Sequence, residues 1–200
     1  RIPPKLDGVG NKLQKEWLYR VIGLVVPNGF GVRPYLNTRM PQFIAWHKEV
    51  IHGSGWCSPS KYQLWSLPDD FASQDRLELP FKHVTDARDM LIDAGRKLTG
   101  TDGLSCIGCH RFNKQPAHAL QVLDLITTPQ RLNPDWFRQF LRDPNYFHPG
   151  TRMPALWPGG RSAFPDLLGG DTDRQFAALW AYFSEGEIAK FPEGLSRKNM

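Results

Sequence analysis

The sequence predicts a mainly α-helical chain: a helical domain over residues 85–200, a linker over 56–84, and a partial, loop-rich copy of that domain over 1–55. Two observations carry this. Apolar residues recur at helical spacing in three C-terminal segments, and the tetrapeptide Thr38-Arg39-Met40-Pro41 returns as Thr151-Arg152-Met153-Pro154. A third observation is the abundance of Pro (17) and Gly (18) beside 7 Trp and 12 Phe. That mixture suits irregular loops wrapped around something bulky and apolar.

The first helix of the domain is expected over Thr85–Leu98, with Thr85 as cap, Asp86 and Asp89 in its first turn, and Arg96 and Lys97 in its last. Met90, Leu91, Ala94 and Leu98 form its apolar stripe, and Gly100 stops it. A second helix starts at Asn133-Pro134-Asp135, with Asn as cap and Pro at the first helical position, and runs to about Leu141 before Asp143-Pro144. A Pro- and Gly-rich loop spans Pro149–Gly170. The last helix, Thr172 to about Ser184, takes Asp171 as cap and presents Phe176, Leu179, Trp180 and Phe183 on one face.

The N-terminal part reads as a copy because Leu13-x-x-x-Trp17-Leu18 matches Leu132-x-x-x-Trp136-Phe137 upstream of each Met-Pro unit, and an aromatic, apolar helix follows each. The boundary is expected in the Gly-, Ser-, Pro- and Asp-rich stretch between Ile51 and Leu79.

Charge narrows the function classes. A formal net charge of +5, with Lys and Arg scattered, gives a mildly electropositive surface for acidic partners. Basic and aromatic residues do not interleave as a nucleic-acid surface requires. The longest apolar run, Val21–Val26, is far too short to span a bilayer, and Arg1-Ile2-Pro3-Pro4 has no signal-peptide core. Beginning mid-pattern fits a removed leader or a piece of a longer polypeptide. No Gly-rich phosphate loop, serine nucleophile elbow or His-Glu zinc motif occurs.

The chemistry lies in Cys106-Ile107-Gly108-Cys109-His110. C-x-x-C-H is the attachment sequence of c-type haem. Two thiols on a tight turn each add to one porphyrin vinyl group, and the adjacent imidazole then falls under the iron. Gly108 lets the backbone pass close to the porphyrin edge. Chance occurrence of the motif is on the order of one in a thousand at average composition. A zinc site would need two further ligands, and a second Cys pair is absent. A thioredoxin-type pair would want a βαβ context instead of helices. One covalent haem c is therefore expected, with Cys106 and Cys109 as thioether sites and His110 as an axial ligand.

For the other axial position Met153 is favoured, because the repeat keeps its Met-Pro unit in a rigid loop. A neutral thioether also favours Fe(II) and so raises the reduction potential. His148 is the alternative ligand, and core filling is the ordinary use of a Met. Arg152 is a candidate partner for a haem propionate; a solvated arginine is the competing reading.

The order helix, C-x-x-C-H, helix, Pro-flanked Met loop, aromatic terminal helix resembles class I cytochrome c over about Thr85–Lys190. The resemblance implies that fold for the C-terminal part. It also implies a crossing of the first and last helices, with Gly95 against Trp180 or Tyr182. The phrases around Trp136-Phe137, Pro149–Pro154 and Leu179–Tyr182 are similar to haem-binding domains at the ends of large planctomycete-type extracytoplasmic proteins.

Two readings of the first copy stand. Met40 is the axial ligand of a second haem whose attachment motif lies upstream or on another chain, or a degenerate half-domain keeps its loop for packing. Cys57, His47, His52, His83 and His118 are read as ordinary residues, with pocket lining an option for His118. The expected function is electron transfer through a His/Met-ligated haem, with redox proteins bearing acidic faces as partners. The alternatives are an electron-relay subunit or domain of a larger multihaem oxidoreductase, and a structural or docking module. Because haem attachment operates outside the cytoplasm, a periplasmic or other extracytoplasmic location is expected.

Overall fold

The computed structural model describes residues 9–18 and 84–195 of the chain, which divides into two units, Arg1–Leu77 and Glu78–Met200. Met40, Cys57, His47, His52 and His83 lie outside the described residues. The described residues are mainly helical and contain no strand. None of their helices is long and apolar enough to cross a membrane.

In the first unit, α1 (Val9–Lys12) is a single turn, residues 13 and 14 break it, and helix resumes at residue 15. Leu13 N–H donates to Val9 O at 2.8 Å and Leu18 N–H to Gln14 O at 3.0 Å. The second unit repeats this backbone pattern. There, α3 (Thr128–Arg131) is followed by a two-residue break and then α4 (Pro134–Arg142). Leu132 N–H donates to Thr128 O, and Phe137 N–H to Asn133 O, both at 2.9 Å. The Leu/Trp spacing read in the sequence thus marks the same local structure twice.

The second unit is organised by two twelve-residue helices, α2 (Arg88–Thr99) and α6 (Thr172–Phe183). Leu91, Ala94, Gly95, Leu98 and Thr99 are the buried residues of α2; α6 buries every residue from Gln175 to Phe183 except Trp180, which is half-buried. At the crossing a Cβ on Gly95 would sit 2.2 Å from the Ala178 carbonyl oxygen and 2.6 Å from Tyr182 Cβ. The small residue on α2 faces Ala178 and Tyr182, not Trp180. Large side chains such as Phe176 and Tyr182, each 0% exposed, contribute roughly 1.5–3 kcal/mol apiece by leaving water. Tyr182 keeps its hydroxyl satisfied in this core by donating to Lys190 O at 2.6 Å, and burial pushes its pKa up.

Helix α2 begins two residues later than the sequence suggests, with Ala87 instead of Thr85 at the cap position and no side-chain cap. Asp86 is occupied elsewhere: it takes the Arg174 guanidinium, Nε reaching Oδ2 at 2.8 Å. The hydrogen bond from Arg174 holds the carboxyl below its ordinary pKa, and the pair keeps the chain extended before α2. Met90, read as part of the apolar stripe, is 53% exposed. Gly100 does end the helix, its N–H donating to the Arg96 and Lys97 carbonyls.

Helix α4 packs on α6 through Phe137, whose ring lies 5.4 Å from Trp180 and 6.3 Å from Phe183. Arg138 is buried between them. Its Nε donates to Asp173 Oδ1 at 2.7 Å, and its guanidinium lies 5.8 Å above the Phe176 ring. Asp143 ends α4 and caps the short α5 (Pro144–Phe147), its Oδ1 accepting from Tyr146 N–H at 3.1 Å. Asp171 caps α6 as expected, accepting from Arg174 N–H at 2.9 Å.

Gly95→Ala tests the crossing. The obstructing atom is a backbone carbonyl, so the helices must separate. The overpacking cost, about 1–3 kcal/mol, then outweighs the helix-propensity gain of about 1 kcal/mol. A lower Tm by thermal denaturation is expected; an equal or higher Tm would show that the helices are not in contact there.

Candidate functional site

The C-x-x-C-H segment follows α2 after the turn formed by residues 100–105. Leu104 N–H donates back to Leu98 O at 2.6 Å, and Ser105 then adopts a left-handed conformation, φ 54°, turning the chain into a 3-10 helix over Cys106–Gly108. His110 N–H closes the turn on Cys106 O at 2.9 Å. Two residues anchor the segment: Ile107 and Phe112 are each 0% exposed. Phe112 stacks on Tyr182 with ring centroids 5.2 Å apart, which ties the segment to the α2–α6 crossing. Beside these anchors Cys106 and His110 are half-buried and Cys109 is exposed, both cysteines being free thiols.

The returning chain satisfies the segment's carbonyls one after another. His118 N–H donates to Ile107 O (3.0 Å), Ala119 N–H to Gly108 O (2.9 Å), Val122 N–H to Cys109 O (3.0 Å) and Leu125 N–H to Arg111 O (2.9 Å). Residues 118–125 therefore fix the motif from outside, and they place the Leu123 carbonyl 3.1 Å from His110 Nδ1. A carbonyl can only accept, so Nδ1 carries the proton and Nε2 keeps its lone pair. Desolvation lowers the His110 pKa, and the Arg131 charge adds to that against the opposing Leu123 bond. The ring is held neutral, with one nitrogen committed to the protein and the other available to a metal.

Burial pushes the Cys106 thiol up to about 12, with Cys109 adding to the effect. Among the described residues no group of three or more His, Cys, Asp or Glu side chains is arranged to hold a bare metal ion. A Cβ on Gly108 would meet only Ser105 Oγ, at 3.7 Å, so nothing in the protein itself demands glycine at that position.

Met153 is half-buried, and its N–H donates to Thr151 Oγ1 at 3.3 Å. The turn before it is tied by Thr151 N–H to His148 O (3.0 Å) and Gly150 N–H to Asn145 Oδ1 (3.0 Å). His148 is exposed and lies edge-on to Phe140, with ring centroids 5.8 Å apart. Arg152 is exposed. His118 is exposed too, its Nε2 spent on Gly194 O at 3.0 Å.

Residues that motif reading passed over complete the site. Asn113 and Lys114 form a tight turn with φ of 48° and 67°, and Phe112 and Gln115 exchange both backbone hydrogen bonds across it. The Asp124 carboxylate accepts from both turn amides, Asn113 N–H at 2.9 Å and Lys114 N–H at 2.6 Å. It also accepts from Ile126 N–H at 3.3 Å as cap of Leu125–Thr127. Asp124 thereby clasps the loop whose neighbouring carbonyl orients His110. An Asp ahead of Leu125-Ile126-Thr127 is a legible capping signal; its second use, across the loop, has no signature in sequence.

Comparison with protein-family models, with curated proteins and with solved structures gives no match to this chain.

Asp124→Ala leaves three backbone donors without their side-chain acceptor; these contacts are half-buried or exposed, so water replaces part of each and the loss is about 1 kcal/mol. We expect a lower Tm and faster hydrogen exchange at the Asn113 and Lys114 amides. Adding Lys114→Gly, which relieves the positive φ, should recover part of the loss. Unchanged exchange at those two amides would remove Asp124 from this role.

Proposed function

We propose that the second unit is a c-type cytochrome domain of the class I kind that transfers electrons through one covalently attached haem. The observation that carries the proposal is the C-x-x-C-H turn whose histidine has Nδ1 committed to the Leu123 carbonyl, leaving Nε2 as the donor nitrogen. In this reading the Cys106 and Cys109 sulfurs would hold the porphyrin as thioethers, and His110 Nε2 and the Met153 sulfur would be the ligands of its iron. When bound, the haem iron supplies one-electron chemistry between Fe(III) and Fe(II). The rest belongs to the chain. Ile107 and Phe112 fix the attachment turn in the core, the 118–125 segment fixes the imidazole plane, and the loop around Met153 holds a neutral thioether, a ligand that raises the potential relative to a second imidazole.

The Gly95 crossing against Ala178 and Tyr182 supports the class I fold, since it is the small-against-aromatic packing that the resemblance implies. With both axial positions supplied by side chains, electron carriage suits the site better than substrate chemistry at iron. The +5 net charge suits redox partners with acidic faces, and thioether attachment suits an extracytoplasmic compartment. The shared backbone pattern of residues 9–18 and 128–137 supports reading the first unit as a partial repeat. Met40 as ligand of a second haem remains part of that reading.

Met153→Ala should abolish the weak near-infrared sulfur-to-iron charge-transfer band of the ferric protein, lower its midpoint potential and open the reduced iron to rapid CO binding. His148→Ala should change none of these. A Met153→Ala spectrum identical to the parent would exclude Met153 as ligand, and rapid CO binding by the parent would argue against the carrier function.

A further inference from the structure

Gln175 is an amide buried at 0% exposure at the N-terminal end of the otherwise apolar buried run of α6. All four of its hydrogen-bonding positions are filled. Its Oε1 accepts from Trp157 Nε1–H at 2.9 Å and from Ser162 Oγ–H at 2.8 Å. Its Nε2 donates to Phe164 O at 3.0 Å and to Leu167 O at 2.9 Å. Every partner lies in one segment, 157–167, and that segment begins four residues after Met153.

A buried amide is a costly way to fill a core unless its bonds specify something. Here they specify the path of one loop. Neither Glu nor Leu could replace the residue: a carboxylate lacks the two donors, and an alkyl group would strand the Trp157 and Ser162 donors, while the Phe164 and Leu167 carbonyls would keep only the backbone amides of Leu167 and Gly170. Trp157 is 1% exposed and lies against Phe176, with ring centroids 4.1 Å apart, so the loop is pinned by packing as well as by the amide. Upstream of Met153 the chain is held by the Thr151 and Asn145 bonds, and downstream Leu156 N–H also reaches Leu141 O at 3.1 Å. Met153 is therefore strung between two fixed points, and Gln175 is the hub of the downstream one. Since α6 also carries the Gly95 crossing, the hub connects the Met loop to the helix pair from which the attachment turn hangs.

We propose that Gln175 is a positioning residue for the axial thioether, setting how rarely the Met153 loop opens. The proposal rests on the reading of Met153 as the iron ligand. It concerns loop retention only, since Gln175 would touch neither haem nor iron.

Exogenous imidazole provides the test, because it binds the ferric iron only when the Met153 loop is open. Its apparent affinity therefore scales with the open fraction. Losing one buried hydrogen bond corresponds to roughly a tenfold change in that fraction. The mature haem protein would be compared with Gln175→Met, which keeps the side-chain length, and with the milder Ser162→Ala and Trp157→Phe, which each delete one bond to the amide, Ser162→Ala also removing the acceptor of Phe164 N–H. We expect imidazole to bind about tenfold tighter in each mild variant and tighter still in Gln175→Met, with a weakened near-infrared band and unchanged covalent haem content. If Gln175→Met does not fold, the two mild variants decide alone. Imidazole affinity equal to the parent in the folded variants, even with a lowered Tm, would overturn the proposal and leave Gln175 as a core amide. Absence of the near-infrared band from the parent protein would instead overturn the Met153 reading beneath it.

Discussion

Helices α2 and α6 meet at Gly95 so closely that no Cβ fits between them, and both the C-x-x-C-H turn and the Met153 loop are tied to that helix pair. The attachment turn leaves the C-terminal end of α2 within a few residues of the crossing, and Phe112 returns to stack on Tyr182 at the crossing itself. The Met153 loop enters α6 from the other direction and is tied to it through Gln175. One interhelical distance therefore sets the relation between two segments separated by more than forty residues of chain. Widening it by a methyl group would disturb both.

Around this frame the protein spends backbone groups more than side chains. The carbonyls of Ile107, Gly108, Cys109 and Arg111 are each taken by an amide of the returning chain, and the His110 ring is oriented by a carbonyl as well. Backbone partners tolerate a change of side chain, which leaves the exposed surface of the loop free to vary. The side chains that do matter are the polar hubs: Asp124 for the loop opposite the motif, Gln175 for the Met loop, and the Arg174–Asp86 and Arg138–Asp173 pairs at the start of α6.

The elements with strong local signals were legible in the sequence. Asp171 marks the start of α6 and Gly100 the end of α2 because capping depends on neighbours in the chain; Pro134 marks the start of α4, where Asn133 holds the cap position without a side-chain capping bond. Gly95 was expected at a helix crossing, though its partner was resolved only in three dimensions, as Ala178 and Tyr182. What local pattern misread has a long-range cause. Thr85 does not cap α2 because Asp86 is drawn to Arg174, 88 residues away, and Met90 falls outside the core although its spacing fits the stripe. The motif residues announced themselves by type and spacing. Leu123, Asp124 and Gln175 did not, since a backbone acceptor has no residue identity and a polar residue within an apolar helix looks like an interruption of the face.

The account stands on thioether bonds at two sulfurs, and the most direct measurement is the intact mass of the denatured chain after expression with haem-maturation machinery, compared before and after acid–acetone extraction. We expect the polypeptide mass plus one haem, unchanged by extraction, in the parent, and loss of that adduct when Cys106 and Cys109 are both replaced by Ala. A parent chain at bare polypeptide mass, or one whose pigment is removed by extraction, would contradict it.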